Sequence, residues 1–312
     1  MTILNKKGKF FGKTIVDFLD YINGLSGNTF IFFDTETTGF SPKTEQLTEI
    51  AAISCQYNDF KIISQFYEKI KLLPEIEERM RPGSNEYEEW RGKIKPSDKF
   101  QKPSDVLKMT RFGETPGTRK YYNETDLLVN FSNYVNSFNN PILIAHNAPF
   151  DMKMINTRMK MYGLEPINVP VLDTNIILKL FFIPMLKSLK KSGNKLAGDF
   201  LGKLLVPVIG VDGPVMEPDL DWNTKQPKLN SDGTPKMKEK KYYSTSMGVV
   251  APAFNISIDE WHNALADIKL MVGIFKKTIQ LFIKYKNTDI KQPHALAVKG
   301  QRYKKIMSKK SK

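Results

Sequence analysis

Apolar residues first recur at helical spacing at Ile15, Phe18, Leu19 and Ile22, ahead of Gly24, and predict a short leading helix over residues 14–23. The pattern then tightens. Thr29 to Phe33 is an unbroken apolar and aromatic run suited to a central strand. Leu47 to Tyr57 and Phe60 to Ile70 read as two further strands joined by a hairpin turn at Asn58-Asp59. From about Pro82 to Lys120 proline, glycine and charge predominate, which predicts an irregular insertion with one short helix. Order returns with a helix near Thr125 to Phe138, a strand at Pro141 to Ala145, a helix at Asp151 to Tyr162, a strand at Val169 to Leu172 and a helix running through Phe182. Strands alternating with helices indicate an α/β sandwich. The stretch from Ser188 to Phe254 is of mixed character, and its centre, Asp219 to Ser246, is rich in Lys, Pro and Asn with almost no aliphatic residues, which predicts a mobile loop. A final amphipathic helix from about Ala264 to Lys284 buries Leu270, Met271, Ile274, Phe275, Ile279 and Phe282.

Composition adds three constraints. With 312 residues, 41% hydrophobic and 11% aromatic, the chain can bury a substantial core. Cys55 is the only cysteine, so an internal disulfide and a cysteine-based zinc cage are both excluded, which fits a reducing cytoplasm. No apolar run is long enough to cross a bilayer, and Lys13, Asp17 and Asp20 interrupt what would otherwise be a signal-peptide core, so no membrane partner is expected.

The formal charge of +14 suits a polyanionic partner. Much of it is local, because the segment from Lys284 to Lys312 holds ten basic residues against Asp289 alone. Lysines scattered through the body read as solvated surface. The terminal stretch, interleaved with Tyr303, Ile306 and Met307, is of the kind that neutralises phosphates by releasing counterions. An interaction tail or a solubilising end remains open for it.

Candidate chemistry lies in three places. In Phe32-Phe33-Asp34-Thr35-Glu36-Thr37-Thr38-Gly39, strand alternation aims Asp34 and Glu36 the same way. Two acids on one face of an apolar strand repel each other unless a cation sits between them, and hard divalent ions favour such oxygens. In Ile142-Leu143-Ile144-Ala145-His146-Asn147-Ala148-Pro149-Phe150-Asp151, a buried strand turns into a helix that Asp151 opens. An acid there also serves simply as a cap. In His262-Asn263-Ala264-Leu265-Ala266-Asp267, one of only three histidines lies five residues before an acid at the start of the last long helix.

Taken in this order, the three segments resemble the DEDDh (DnaQ-like) 3′-to-5′ exonucleases, a family that includes DNA-polymerase proofreading subunits, oligoribonuclease and ribonuclease T. The resemblance covers roughly Phe30 to Ile283, the two insertions unmatched. It implies an α/β, ribonuclease H-like fold with a mixed five-stranded sheet flanked by helices. The organisation it implies is an N-terminal helical extension over 1–28, an exonuclease domain over 29–285 with insertions at about 82–120 and 188–258, and a basic tail over 286–312. Asp34, Glu36, Asp151 and Asp267 would hold two Mg²⁺ or Mn²⁺ ions about 3.5 to 4 Å apart. His262 would act as general base, since its ordinary pKa lies near neutrality.

Substrate contacts implied by the resemblance fall on Thr37, Thr38, Gly39 and Phe40 after the first segment and on His146, Asn147 and Phe150 around the second, although Phe40 and Phe150 also suit a core. Asp173 reads as a helix cap, and Glu49 lies in a family-like Glu-Ile-Ala segment outside the catalytic set. The family's His-Gly-Ile-Thr-like substrate segment has only Leu107-Lys108-Met109-Thr110 in its place. The expected partner is therefore nucleic acid, single-stranded or with a frayed 3′ end, DNA favoured over RNA, with a polymerase or a replication or repair protein as a further partner. An RNA exonuclease uses the same chemistry. A nuclease-derived docking module stands as the non-enzymatic alternative, against which the presence of all five side chains argues.

Overall fold

The computed structural model of the chain describes residues 14–24, 28–57, 59–70, 72–80, 123–210, 213–221, 224, 226–258 and 264–290. The expected insertion at 82–120, His262 and the tail beyond residue 290 lie outside them. The leading helix α1 (Ile15–Asn23) starts at a capping box in which the Thr14 hydroxyl accepts from the Asp17 amide and the Asp17 carboxylate accepts from the Thr14 amide. Then come β1 (Thr29–Thr37), β2 (Leu47–Gln56), β3 (Ile62–Lys69), α2 (Pro74–Met80), α3 (Glu124–Asn136), β4 (Pro141–Ala145), α4 (Ala148–Met161) and β5 (Val171–Asp173).

The sheet order is β3-β2-β1-β4-β5. β2 runs antiparallel to β1 and β3, while β4 and β5 run parallel to β1. This is the mixed, ribonuclease H-like sheet that the resemblance implies.

Period-two alternation in β1 divides the core in two. Phe30 and Phe32 face one way, with Ala51, Ile53, Ile142 and Ile144. Ile31 and Phe33 face the other, with Ile50, Ala52, Leu143 and Ala145. The first face is covered by α1 and by the last helix, α9 (Ala264–Lys284), whose Phe275 ring lies edge-on to Phe30 and Phe32 at 6.1 and 5.5 Å. The second is covered by α3 and α4 through Leu127, Leu128, Phe131, Met154 and Ile155. Each such fully buried side chain stabilises the fold by roughly 1.5–3 kcal/mol.

Between β5 and α9 the chain departs from expectation. The helix predicted to run through Phe182 is a short α5 (Thr174–Ile177), a π-helical turn over Leu178–Phe182 and then α6 (Ile183–Lys191). Pro184 supplies the reason, since a proline near the start of α6 has no amide to donate and its ring crowds the carbonyl four residues back, which the wider turn relieves.

After α7 (Lys195–Leu204) the chain forms an antiparallel ribbon, which takes in most of the segment from Asp219 to Ser246 expected to be a loop. It pairs β6 (Leu205–Pro207) with β11 (Lys241–Tyr243), β7 (Ile209–Gly210) with β8 (Gly213–Pro214), and β9 (Met216–Pro218) with β10 (Met237–Glu239). Its aliphatic signal is faint because nearly all of it is exposed. Backbone ladders and a turn through Gly233, at φ +82°, hold it instead. At the base the Lys187 ammonium sits 4.5 Å above the Tyr243 ring, and α8 (Met247–Ala253) leads back towards the core.

Candidate metal centre

β1 spans nine residues and β4 only five. Their register pairs Thr29 with Pro141 and stops at Phe32 with Ile144, so the carboxyl end of β1 runs past the end of β4. Asp34 and Glu36 lie on this overhang, at the open carboxyl edge where parallel strands leave room for ligands.

Asp267 comes from the first turn of α9, which packs against β1. One ligand oxygen each of Asp34, Glu36 and Asp267 lies within 4.8 Å of the others.

Asp151 approaches from the opposite helical layer. It stands one turn inside α4, because that helix starts at Ala148 and not at Asp151 as the sequence suggests. Asn147 makes the turn from β4 with a left-handed backbone, φ +71°, a conformation asparagine tolerates better than most residues. Its amide donates to Asp173 Oδ1 at 3.0 Å, and the same oxygen accepts from the amides of Asn175 and Ile176. Asp173 is thus the helix cap expected, and it also fixes the loop that delivers Asp151. The Thr35 hydroxyl donates to Asp151 Oδ1 at 2.6 Å, joining the fourth acid to the strand that carries the first two.

Burial disfavours the charged form of all four acids, and Asp34 and Glu36 also feel their neighbours. Burial, followed by the charges of Asp151, Glu36, Asp267 and Glu49, raises the Asp34 carboxyl well above the usual range. Burial and then Glu49, Asp267 and Asp151 push Glu36 up to about 8, with Lys69 opposing. Burial also takes Asp151 up to about 7 against the pull of the Thr35 hydroxyl, and Asp267 up to about 6. Four carboxyls so disfavoured as anions fit divalent cations, which remove the repulsion and accept hard oxygen ligands. Asp267 Oδ1 independently supports the fit. It is buried and, among the described residues, has no hydrogen-bond partner, a costly state that a cation would relieve.

The substrate candidates divide. Thr37 donates to the Gly39 carbonyl at 2.8 Å and Thr38 to Glu45 Oε2 at 2.7 Å, so both hydroxyls bind their own loop. Gly39 sits close to that side chain, since a Cβ there would stand 3.0 Å from Glu45 and push it aside. Phe40 at the tip is 81% exposed, which rules out a core role, and its ring meets that of Phe150 edge-on at 6.1 Å. His146 is held inside the loop with Nδ1 2.9 Å from the Thr174 hydroxyl, and burial followed by the Lys179 charge lowers its pKa to about 4.

Sequence reasoning missed two participants. Thr35 reads as a spacer between two acids. Glu49 is set aside as a family-like residue of the second strand, yet it is 3% exposed and directly opposite Glu36 in the sheet. The available signal was an acid in the apolar run Leu47 to Tyr57.

The exonuclease family model (RNase_T) matches residues 31–85, which include Asp34, Glu36 and Glu49. The DNA polymerase III PolC-type protein of Ureaplasma parvum serovar 3 is 29% identical over 154 residues, covering 49% of this chain and 8% of that protein. The PolC-type protein of Listeria welshimeri serovar 6b is 30% identical over 165 residues, with coverage of 53% and 9%. The chain therefore spans less than a tenth of the curated relatives it matches. Among solved structures, E. coli Exonuclease I in complex with a dT13 oligonucleotide superposes with a TM-score of 0.46 at 17% identity, covering 82% of this chain and 43% of that one.

Proposed function

We propose, for a chain that belongs to the DnaQ-like 3′-to-5′ exonuclease family and is thereby a phosphodiester hydrolase, that it removes nucleotides from the 3′ end of single-stranded or frayed DNA. The observation that carries this reading is the convergence of Asp34, Glu36 and Asp267 within 4.8 Å, with Asp151 tied to the same strand through Thr35. Asp34, Glu36, Asp151 and Asp267 would hold two Mg²⁺ or Mn²⁺ ions, which would supply Lewis-acid stabilisation to a phosphodiester undergoing hydrolysis.

The protein's own groups have separate tasks. Asp34 and Glu36 provide ligand oxygens from the rigid end of β1, and Asp151 and Asp267 provide them from the two helical layers. A water oxygen forms the new bond to phosphorus, its proton passes to His262, and the bond from phosphorus to the 3′ oxygen breaks to release a nucleoside monophosphate. His262 is assigned from its place five residues before Asp267. Phe40, exposed beside the acids' loop and braced by Phe150, offers a stacking surface for the last bases, while Thr37, Thr38, Gly39 and Asn147 shape the loops around the terminal nucleotide.

Three features favour DNA and a long polyanion: the PolC-type relatives, the formal charge of +14 and the basic residues after Lys284. A polymerase or another replication protein is the natural partner on the same grounds. No described helix is long and apolar enough to cross a membrane. We place the activity in the cytoplasm, whose reducing medium suits a chain with Cys55 as its one cysteine.

The test is digestion of matched 5′-labelled DNA and RNA oligomers, single- and double-stranded, with Mn²⁺ or with chelator, by the wild type and by Asp34→Ala. A ladder receding from the 3′ end of DNA, lost with chelator and in the variant, is expected. Equal activity in the two proteins, or none in either, defeats the reading. A ladder on RNA alone transfers it to the other sugar.

A further inference from the structure

We propose that the Glu49–Lys69 ion pair, next to Glu36 in the sheet, sets the charge that the acidic centre presents to divalent cations. The inference rests on the metal-centre reading and adds two residues to it.

Three adjacent strands place the residues in one row. Glu36 is the cross-strand partner of Glu49, and Glu49 is the cross-strand partner of Lys69. Residues directly opposite on neighbouring strands bring their side chains together on one face, where like charges destabilise the sheet. A second glutamate beside Glu36 therefore needs a reason. Glu49 Oε1 lies 3.2 Å from Lys69 Nζ, and both side chains are nearly buried. Glu49 Oε2 is also buried and has no hydrogen-bond partner among the described residues. Of the charges acting on Glu36, that of Glu49 is the largest, and Lys69 is the one that opposes the acids.

Charge counting gives the pair its meaning. Asp34, Glu36, Asp151 and Asp267 balance two divalent cations, and Glu49 is one negative charge too many unless Lys69 cancels it. Beside Glu36 the pair is neutral as a whole but oriented, with its acid towards Glu36 and its cation away. An oriented pair of charges beside a ligand changes the field at that ligand, so removing either member changes the affinity for a cation.

The experiment is calorimetric titration of the metal-free full chain with MnCl₂, at fixed pH and ionic strength, for Glu49→Gln, Lys69→Met, the double variant and Asp34→Asn. Glu49→Gln, which keeps size but leaves Lys69 uncompensated beside Glu36, is expected to weaken Mn²⁺ binding by about tenfold or more. Lys69→Met leaves Glu49 uncompensated and is expected to tighten it. The double variant is expected to return to within about threefold of wild type, because the two opposite changes of charge offset one another.

A purely structural pair would weaken binding in both single variants, which overturns the proposal. So do single variants that both bind within about twofold of wild type. If Asp34→Asn also binds Mn²⁺ normally, the metal-centre reading itself fails. If Asp34→Asn loses binding while the other variants do not change, only the pairing fails.

Discussion

Asp34, Glu36, Asp151 and Asp267 are each held where ionisation without a counter-charge opposes folding. Their raised pKa values make the metal-free protein more stable when they are protonated, and that contribution disappears as pH rises through the folded-state values, from about 6 for Asp267 to about 8 for Glu36. The thermal midpoint of metal-free protein should therefore fall from the ordinary carboxylate range near pH 4 up to about pH 8, and the midpoint gained on adding Mn²⁺ should grow over the same window. A flat difference between the two curves would count against a shared cation site. Asp34→Asn should raise the metal-free midpoint and lower nucleotide release by about 10³-fold, as loss of several kcal/mol of transition-state stabilisation requires.

At Phe40, truncation to Ala should weaken oligonucleotide binding by about 5- to 150-fold, the equivalent of about 1–3 kcal/mol of base stacking, with Mn²⁺ affinity unchanged. Fluorescence anisotropy with a labelled single strand would measure it. The acids of β1 were legible because a two-residue spacing on a strand fixes a common face. Thr35 and Glu49 were not, since both act through partners 116 residues away or on a neighbouring strand that sequence spacing does not specify.

At the scale of elements, the position of α4 depends on a buried ion pair at the end opposite Asp151. The Arg158 guanidinium donates to both oxygens of Glu124 at the start of α3, and the Tyr162 hydroxyl joins them. Glu124 also accepts the Leu47 amide at 3.0 Å, which ties both helices to the start of β2. Arg158→Leu leaves Glu124 buried and uncompensated and should cost about 3–5 kcal/mol in urea unfolding, whereas exchanging both residues for apolar ones should cost much less. Helix and strand identities in the core were readable from periodicity, and β4 was read to the residue. The start of α4 was misread by one turn, because a left-handed Asn147 followed by Pro149 lets a helix start without a side-chain cap.

Across the whole molecule, the sandwich of sheet and helices carries all four described acids, and the ribbon from β6 to β11 carries none of them. That division was only partly legible. The low aliphatic content between Asp219 and Ser246 correctly signalled the absence of a core there, but backbone pairing between exposed strands leaves no hydrophobic trace. Replacing residues 208–240 with a short turn should leave Mn²⁺ affinity unchanged and shift the thermal midpoint by only a few degrees, since Pro207 and Lys241 are already cross-strand partners. Differential scanning fluorimetry with and without Mn²⁺ would check this. The same geometry makes the far end of the ribbon a natural grafting point. Chain entering near Asn230 and leaving near Gly233 travels through exposed turn residues, so a fluorescent protein or an affinity handle spliced there would have its two ends close together and leave the sandwich of sheet and helices unperturbed.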